Sequence, residues 1–328
     1  MRAGAVRAGG GPGPGPGAGA GAGAGAVAVA GANGLIGRRV VAGLAGGAGG
    51  GCRVKALVRD VGAASRLFGG RRGVQVVGPE GWSEAVAEGD CRAVVNLCGE
   101  PVATRWDPAA RKGILESRID STKILVDAIN ACPEAKRPEV LVNASAIGFY
   151  GTSTTGRFDE ASSPGDDFLA RVCVDWEAEA AKVDPAVRLV TLRTGLVLDR
   201  EGGVLGKMVP AFQMFAGGAM GSGEQWCSWV HHEDVVGIVK LAIESPEAKG
   251  PINAVSPQPV TNAQFSEALG RALGRPSWLP VPDFALKAAL GDGAALVLEG
   301  QRVLPKKAQD LGYRFRYADV QEAVRAAV

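Results

Sequence analysis

The sequence is poor in the residues that build metal centres and disulfide frameworks. It contains only two histidines, the adjacent His231 and His232, and its six cysteines follow no paired spacing. Adjacent side chains on a strand or a helix diverge, so a histidine-based metal site is not expected. Scattered cysteines are typical of a reducing compartment. We therefore expect no bound metal and no disulfide scaffold.

Charge and hydropathy exclude two further classes of protein. The formal net charge is +2, and beyond residue 60 acids and bases are interspersed, without a basic stripe carrying aromatic residues. A nucleic-acid partner is therefore not expected. A membrane-spanning helix needs roughly 18 consecutive apolar residues, and no such run free of glycine and charge occurs. The chain of 328 residues is long enough to bury a sizeable core.

The first 26 residues differ from the rest of the chain. They are nearly all glycine, alanine and proline, and no acidic residue precedes Asp60. Such a segment buries too little apolar surface to offset the entropy of ordering it. It is either a disordered extension or the remnant of an organelle transit peptide, although the lack of serine counts against the second interpretation.

The most informative segment runs from Val27 to Gly37 (VAVAGANGLIG). An apolar run typical of a buried strand is followed by three glycines and an amphipathic stretch from Arg38 onward. A strand, a glycine turn and a helix in this order present a helix N-terminus, whose free N–H groups suit a pyrophosphate. A second predicted strand, Arg53 to Val58, follows at the distance expected of a dinucleotide-binding unit.

The end of that second strand indicates which dinucleotide is bound. Proteins that use NAD usually place an acid there for the ribose 2′-hydroxyl. This chain has Arg59 after Val58, and Arg38 just beyond the third glycine. Guanidinium groups bind a phosphate dianion in a fork geometry, which favours NADP(H). Asp60 keeps NAD(H) as an alternative.

The remaining pattern alternates strands with helices. Further strands are predicted at 74–77, 92–97, 139–145 and 187–192, with helices at 107–131 and 167–182 between them. This alternation predicts an α/β fold with a doubly wound parallel sheet and a ligand at the carboxyl ends of the strands. We divide the chain into a head (1–26), a dinucleotide-binding domain (27–199) and a smaller, loop-rich substrate-side lobe (200–328).

Several motifs together resemble a known family. These are the glycine loop and the segments NLCGEP (96–101), SAIGFYG (145–151), QMFAGGAMGSG (213–223) and WVHHED (229–234). The chain resembles the extended short-chain dehydrogenase/reductases, and more narrowly their atypical "epimerase family" group, whose plastid members are also called SulA-like. The resemblance covers roughly residues 27–325.

The resemblance implies a Rossmann fold, bound NADP(H) and an oxidoreductase activity without an assigned substrate. It also implies a location in the chloroplast stroma, and a positive role in organelle division with a division-machinery partner. The cofactor positions that it implies are Gly31, Asn33, Gly34, Leu35, Ile36 and Gly37 in the phosphate loop, Val58 and Arg59 at the 2′-phosphate, Leu97, Cys98 and Gly99 after the fourth strand, Arg118 facing the cofactor, and Val197 near the nicotinamide.

The acid–base pair of the superfamily is missing. Ordinary members use a tyrosine as general acid and a lysine four residues later that lowers its pKa. None of the three tyrosines here, Tyr150, Tyr313 and Tyr317, has a lysine at that spacing. The expected positions fall near Leu169 and Cys173, and neither residue is suited to that proton transfer.

Two functions therefore remain open. In the first, the protein is a reductase whose proton comes from another group, with Tyr150 as the first candidate and Ser145 as its hydrogen-bond orienter. Weaker candidates are Glu100, Lys112, Asp166, Asp167 and His231. In the second, the protein binds NADP(H) without turnover and reports redox state to a partner. Trp106, Trp226 and Trp229 are predicted to line a substrate pocket, form a protein contact or pack in the core. A nucleotide-sugar epimerase is less favoured, because it needs the same missing pair.

Overall fold

The computed structural model describes residues 25–46 and 51–328, so most of the predicted head lies outside the described residues. The strands are β1 Ala26–Ala30, β2 Val54–Leu57, β3 Val74–Val77, β4 Cys91–Asn96, β5 Val140–Ala146, β6 Arg157–Phe158, β7 Arg188–Thr194, β8 Leu196–Leu198, β9 Trp226–Cys227, β10 Trp229–His231, β11 Gly250–Ala254, β12 Val260–Thr261 and β13 Arg302–Val303.

The α-helices alternate with these strands over most of the chain. They are α1 Leu35–Ala45, α2 Val61–Phe68, α3 Trp82–Ala87, α4 Pro108–Ala131, α5 Phe168–Ala180, α6 Gly203–Gln213, α7 His232–Glu244, α8 Asn262–Leu273, α9 Asp283–Leu290, α10 Ala295–Leu298, α11 Lys306–Asp310 and α12 Val320–Ala327. Short 3₁₀ helices occupy Pro79–Gly81, Glu134–Lys136, Ile147–Tyr150 and Gly291–Ala294.

Seven strands form one parallel sheet in the order β3-β2-β1-β4-β5-β7-β11. The chain moves outward from β1 in one direction through β2 and β3, and in the other direction from β4 onward. The order therefore reverses between β1 and β4, and this switch point opens a crevice at the carboxyl ends of the strands. The predicted α/β fold with a doubly wound sheet is confirmed.

Both faces of the sheet are covered, as the apolar runs predict. Side chains alternate along β1, so that Val27 and Val29 face a core shared with α1 and α7, while Ala28 and Ala30 face a core shared with α3 and α4. A third core lies beyond the sheet, where α6, α8 and α12 pack together around Phe212. The first two cores flank β1 and β4, the strands that border the crevice.

The sheet takes its seventh strand from beyond residue 199. Strand β11 pairs in parallel with β7, and α7 packs against α1. This strand was not predicted, because its sequence contains Gly250 and Pro251, and proline is tolerated in a sheet only at an edge such as this one. The division of the chain at residue 199 stays a prediction, and the sheet itself extends past it.

Helix α6 was also missed by the sequence analysis. It contains Gly203, Gly206 and Pro210, residues that disfavour a helix interior. Burial of Leu205 and Phe212 in the third core compensates for this weak propensity. Within residues 25–46 and 51–328, no helix combines the length and the apolar composition that crossing a bilayer requires.

Candidate functional site

The glycine loop has no room for side chains at two positions. Gly31 has a φ of +71°, and a Cβ there would lie 2.8 Å from the carbonyl oxygen of Leu97. A Cβ on Gly37 would overlap the carbonyl oxygen of Gly31. These two glycines therefore bring β1, α1 and the end of β4 together, as the glycine spacing predicts.

Helix α1 begins without a side-chain cap. Its first residue follows Gly34, which offers no hydroxyl or carboxylate, whereas the helices α2, α4 and α5 are capped by Asp60, Asp107 and Asp167. The first N–H groups of a helix have no partner within the helix. In α1 they are free to bind an anion at the positive end of the helix dipole, so the loop fits a dinucleotide pyrophosphate.

An exposed arginine follows β2, where the adenosine ribose of a dinucleotide would bind. The side chain of Arg59 is 75% exposed at the end of β2, and only a long ion pair of 3.5 Å joins it to Glu100. The carboxylate of Asp60 accepts a hydrogen bond from the backbone N–H of Ala63 at 2.8 Å and is occupied as a helix cap. The geometry therefore favours a 2′-phosphate over a free ribose hydroxyl at this position.

The side chains of two predicted cofactor residues, Arg38 and Val197, have contacts within the protein. Arg38 forms an ion pair of 2.7 Å with Glu201, which would compete with a 2′-phosphate for its guanidinium. Val197 lies in β8, which pairs with β10, and its side chain packs against the core shared with α1. The preceding residue, Leu196, lines the cavity described below instead, because neighbouring strand residues face opposite ways.

The strip of residues 97–99, which follows β4, connects the glycine loop to the rest of the crevice. The backbone N–H of Leu97 bonds the carbonyl oxygen of Ala30, which keeps this strip beside the glycine loop. Burial raises the pKa of the Cys98 thiol to about 11, so it stays neutral at physiological pH. Gly99 lies directly under the guanidinium of Arg118. These positions agree with the predicted path of a dinucleotide across the switch point.

A cavity of about 360 Å³ lies at the carboxyl ends of β5 and β7. Ala146 and Thr194 contribute from those strand ends, and α5 forms one wall. The opposite wall comes from the segments 225–228 and 295–301. Of this second wall the sequence analysis named only Trp226, because the two segments lie far apart along the chain and carry no motif.

The two residues that stand where ordinary members of the superfamily have the tyrosine and the lysine face this cavity. Leu169 and Cys173, four residues apart on α5, both line it. Burial raises the pKa of the Cys173 thiol to about 11, and its Sγ lies 3.7 Å from the carbonyl oxygen of Ala146. The site therefore lacks a tyrosine and a lysine where the superfamily has them.

Tyr150 does not line the cavity. It is 3% exposed, its hydroxyl donates to the Oδ1 of Asn253 at 2.7 Å, and it accepts a bond from Arg193 at 3.1 Å. Burial raises the pKa of this phenol. Its hydrogen bonds tie the 3₁₀ helix after β5 to β7 and β11. The contacts give Tyr150 a structural role and argue against the predicted role of proton donor.

Ser145 is likewise turned away from the cavity. Its hydroxyl donates to Glu177 at 2.6 Å, while the next residue, Ala146, faces the cavity. Glu177 also receives a two-pronged ion pair from Arg193, with both distances 2.8 Å. The predicted orienter thus belongs to a buried network under the site, and Tyr150 belongs to the same network through Arg193.

A Tyr150→Phe variant distinguishes the two roles. We expect it to lower the free energy of unfolding by about 1–2 kcal/mol, because Asn253 and Arg193 each lose a buried partner. NADPH affinity and any reductase rate should stay within twofold of the wild type. Chemical denaturation and steady-state kinetics measure the two quantities. A tenfold lower rate with unchanged stability would restore Tyr150 as the proton donor.

The weaker candidates are mostly occupied elsewhere. Glu100 pairs with Arg59, and Lys112 forms an exposed ion pair with Glu116. Asp166 is exposed, whereas Asp167 lines the cavity and caps α5. Of these four, only Asp167 touches the cavity.

The two histidines contradict the expectation that their rings diverge. Their ring centroids lie 4.2 Å apart, because His231 ends β10 and His232 begins α7. Together with Glu233 they form a cluster with metal-ligand spacing. His231 Nδ1 accepts from the backbone of Glu233, His232 Nδ1 contacts the carbonyl oxygen of Leu198, and Glu233 pairs with Arg316. Burial lowers the pKa of His231 to about 3, and this residue lies outside the cavity.

The three tryptophans divide between two roles. Trp106 and Trp226 line the cavity, and each indole N–H bonds a backbone carbonyl oxygen. Trp229 is fully buried in the third core. Two of the three therefore shape the cavity, and the third packs in the core.

Comparison with known proteins agrees with this architecture. The model of the NAD dependent epimerase/dehydratase family matches residues 27–255, which is more than half of the chain. The chain belongs to this family. The model of a domain of unknown function matches residues 281–327, whose last helix, α12, packs against α8.

Two relatives show how far the likeness extends. An epimerase family protein SDR39U1 homolog of Arabidopsis thaliana, named as chloroplastic, is 48% identical over 298 residues, covering 90% of this chain and 84% of the relative. Human epimerase family protein SDR39U1 is 36% identical over 254 residues, covering 75% of this chain and 86% of the relative. The predicted membership of the atypical epimerase group is confirmed.

Solved structures extend the comparison to the whole described chain. The human SDR39U1 crystal structure with NADPH matches with a TM-score of 0.82 and 33% identity, covering 92% of this chain and 98% of the human one. A UDP-glucuronic acid 4-epimerase of Bacillus cereus with NAD gives a TM-score of 0.74 at 14% identity, covering 92% and 96% of the two chains, which shows a shared fold alone.

Proposed function

We propose that this protein is an NADP(H)-dependent oxidoreductase that interconverts a carbonyl compound and its alcohol. The glycine loop, the uncapped α1 and the exposed Arg59 support binding of NADP(H), and the human relative of the same family was solved with NADPH. The cavity at the ends of β5 and β7 carries the catalytic part of the proposal. A protein that only bound the nucleotide would need no space for a second molecule there.

The bound cofactor would supply a hydride to the carbonyl carbon. The chain positions the reactants and excludes most water through the apolar walls of the cavity. Because no tyrosine or lysine lines this cavity, we infer that the oxygen takes its proton from water at the rim, where Thr152 and Glu299 are exposed. The reaction then consumes one NADPH, one carbonyl compound and one proton, and yields NADP⁺ and the alcohol.

Loss of nicotinamide absorbance with a panel of aldehydes and ketones tests this activity. We expect turnover with at least one carbonyl compound, together with stoichiometric formation of its alcohol. Tight NADPH binding without turnover across aliphatic, aromatic and acidic carbonyl compounds would reject the proposal.

Arg59→Glu should reduce the preference for NADPH over NADH. Removing the guanidinium and adding a carboxylate beside the 2′-phosphate should weaken NADPH binding by about ten- to a hundredfold, equal to about 1.4–2.7 kcal/mol. NADH affinity should change by less than threefold. Energy transfer from tryptophan to the nicotinamide measures both. Arg38→Gln is the matched control, because Arg38 pairs with Glu201 and should not affect the preference.

A non-catalytic NADP(H) sensor is the second candidate. The observation that favours it is the pair Leu169 and Cys173, which face the cavity where the acid–base pair is missing. In that role, nucleotide binding would order the loops and expose a surface to a partner. A partner retained by the NADPH-loaded protein and lost with NADP⁺ would support the sensor, provided that no carbonyl compound is turned over.

We also propose a location in the chloroplast stroma and an involvement in organelle division. The support for the location is the Arabidopsis thaliana relative, whose name is chloroplastic. The division role rests only on the family resemblance of the sequence. A fluorescent fusion expressed from the full chain tests the location, and plastid size in a deletion strain tests the role.

A further inference from the structure

The short helix α10 presents apolar side chains to the cavity. All four of its residues are apolar (ALVL), and none of them is fully buried. Ala295, Leu296 and Val297 line the cavity. Because apolar surface in contact with water is unfavourable, a ligand whose own apolar surface covered this helix would be stabilised there.

Hydrogen bonds from distant residues hold α10 and the residues after it in this position. Gln225, which is 6% exposed, donates from Nε2 to the carbonyl oxygen of Val297 at 2.7 Å. The Ser228 hydroxyl donates to the carbonyl oxygen of Gln301 at 2.8 Å, and the Gln301 side chain donates to the carbonyl oxygen of Ile147 at 2.9 Å. The wall is therefore formed without a ligand, which lowers the entropic cost of binding one.

The wall opposite α10 is apolar as well. The ring of Trp106 packs edge-to-face on that of Phe168, with 5.2 Å between the centroids, and the Trp106 indole N–H donates to the carbonyl oxygen of Val102 at 2.9 Å. The apolar residues of α5 that line the cavity are Phe168, Leu169, Val172 and Trp176. A ligand rich in hydroxyl groups would find few partners between these two walls.

The charges at the cavity disfavour an anionic substrate. Among the described residues, the charged side chains that line the cavity are Arg118, Asp167 and Glu299. Arg118 lies over Gly99, on the predicted path of the dinucleotide, and so belongs to the cofactor half of the site. Two carboxylates are left for the substrate half, and they would repel a second anion.

We propose that the substrate is a carbonyl compound with an uncharged, apolar group, and that this group binds against Leu296 and Val297 of α10. The inference rests on the proposed function, since it names the substrate class of the same cavity. The two side chains take no part in the chemistry, and their size and polarity determine which group fits. Helix α10 lies within residues 281–327, so the proposal gives the domain of unknown function a role in substrate selection. A nucleotide sugar fits poorly, because its pyrophosphate needs cationic donors.

Two fluorescent probes with the same aromatic skeleton test the substrate class. N-phenyl-1-naphthylamine is neutral, and 1-anilinonaphthalene-8-sulfonate carries one negative charge. Titrations use the full chain saturated with NADP⁺, which does not itself fluoresce. The wild type should bind the neutral probe at least about tenfold more tightly, because burial of the sulfonate in an apolar cavity beside two carboxylates is unfavourable. UDP-glucose, as a nucleotide sugar, should not displace the neutral probe.

Substitutions at Leu296 locate the binding surface. Leu296→Asp should weaken binding of the neutral probe at least about tenfold, because it places a charge in the apolar wall. Leu296→Met conserves volume and polarity and should change this affinity by less than about threefold. Leu67, which is 49% exposed on α2, provides the control, and Leu67→Asp should leave probe binding unchanged. The affinity for NADP⁺ should be the same in all three variants.

Three outcomes would overturn the proposal. The first is a wild type that binds the sulfonate as tightly as the neutral probe, or that binds neither. The second is displacement of the neutral probe by UDP-glucose. The third is a Leu296→Asp variant that binds NADP⁺ and retains full affinity for the neutral probe; if this variant does not fold, the comparison of the two probes in the wild type decides. Because the assay measures binding, absence of turnover would reject the proposed function without deciding this inference.

Discussion

Gly37→Ala is expected to abolish NADPH binding. The added Cβ would overlap the carbonyl oxygen of Gly31 and press on the backbone of Ala32, so the loop must move away from the N-terminus of α1. The N–H groups that would bind the pyrophosphate then lose their alignment. We expect the affinity for NADPH to fall at least about a hundredfold, equal to about 2.7 kcal/mol of binding free energy. Isothermal titration calorimetry measures this change.

A matched glycine controls for the effect of the methyl group itself. Gly113 lies in α4, and a Cβ there would meet nothing within 4 Å. Gly113→Ala should leave NADPH binding unchanged and stabilise the protein by about 0.5–1 kcal/mol, since alanine favours a helix. Gly34→Ala should fall between the two, because its Cβ would lie 3.2 Å from the Gly31 oxygen. Full NADPH affinity in a folded Gly37→Ala variant would refute the assigned phosphate site.

Among the substitutions proposed here, Glu177→Gln is expected to cause the largest decrease in the free energy of unfolding. Arg193 is 4% exposed, and both of its bonds to Glu177 measure 2.8 Å. Removing the carboxylate leaves a buried guanidinium without its counter-charge, at a cost of about 3–5 kcal/mol. Chemical denaturation monitored by tryptophan fluorescence should show a much lower midpoint. The 3₁₀ helix at Tyr150 should be disturbed as well, because Arg193 also bonds its hydroxyl.

An exposed ion pair provides the comparison. Glu116 faces Lys112 at 3.7 Å on α4, and both side chains are more than half exposed. Glu116→Gln should change the free energy of unfolding by no more than about 0.5 kcal/mol, because water screens such pairs. Equal effects of the two substitutions would show that the buried network at Glu177 is not the stabilising feature we infer.

The sequence carried most of the information about the cofactor half of the site. The tight packing at Gly31 and Gly37 could be predicted from spacing, because steric exclusion of a side chain is a local property of a strand, a turn and a helix. The position of Arg59 at the end of the second strand could be predicted because it follows directly on a predicted strand. The ion pair of Arg38 could not be predicted, since its partner Glu201 is distant in the sequence.

The catalytic half shows where local patterns stop being informative. Tyr150 and Ser145 looked suited to proton transfer because they stand at the end of a strand that reaches the crevice. Whether a side chain faces the cavity or the core depends on strand alternation and on distant partners, here Asn253 and Glu177. Neither partner could be inferred from the sequence around the two residues.

The sequence by itself determined the α/β architecture, the close approach of the glycine loop to its neighbours and the absence of a tyrosine–lysine pair. These features follow from periodicity, from steric demands of neighbouring residues and from simple residue identity, all of which are local. Only the tertiary structure decided that Tyr150 is buried, that β11 completes the sheet and that Arg118 bonds the carbonyl oxygens of Ile114 and Glu100. Those facts depend on which distant segments pack together, and packing is a property of the whole chain.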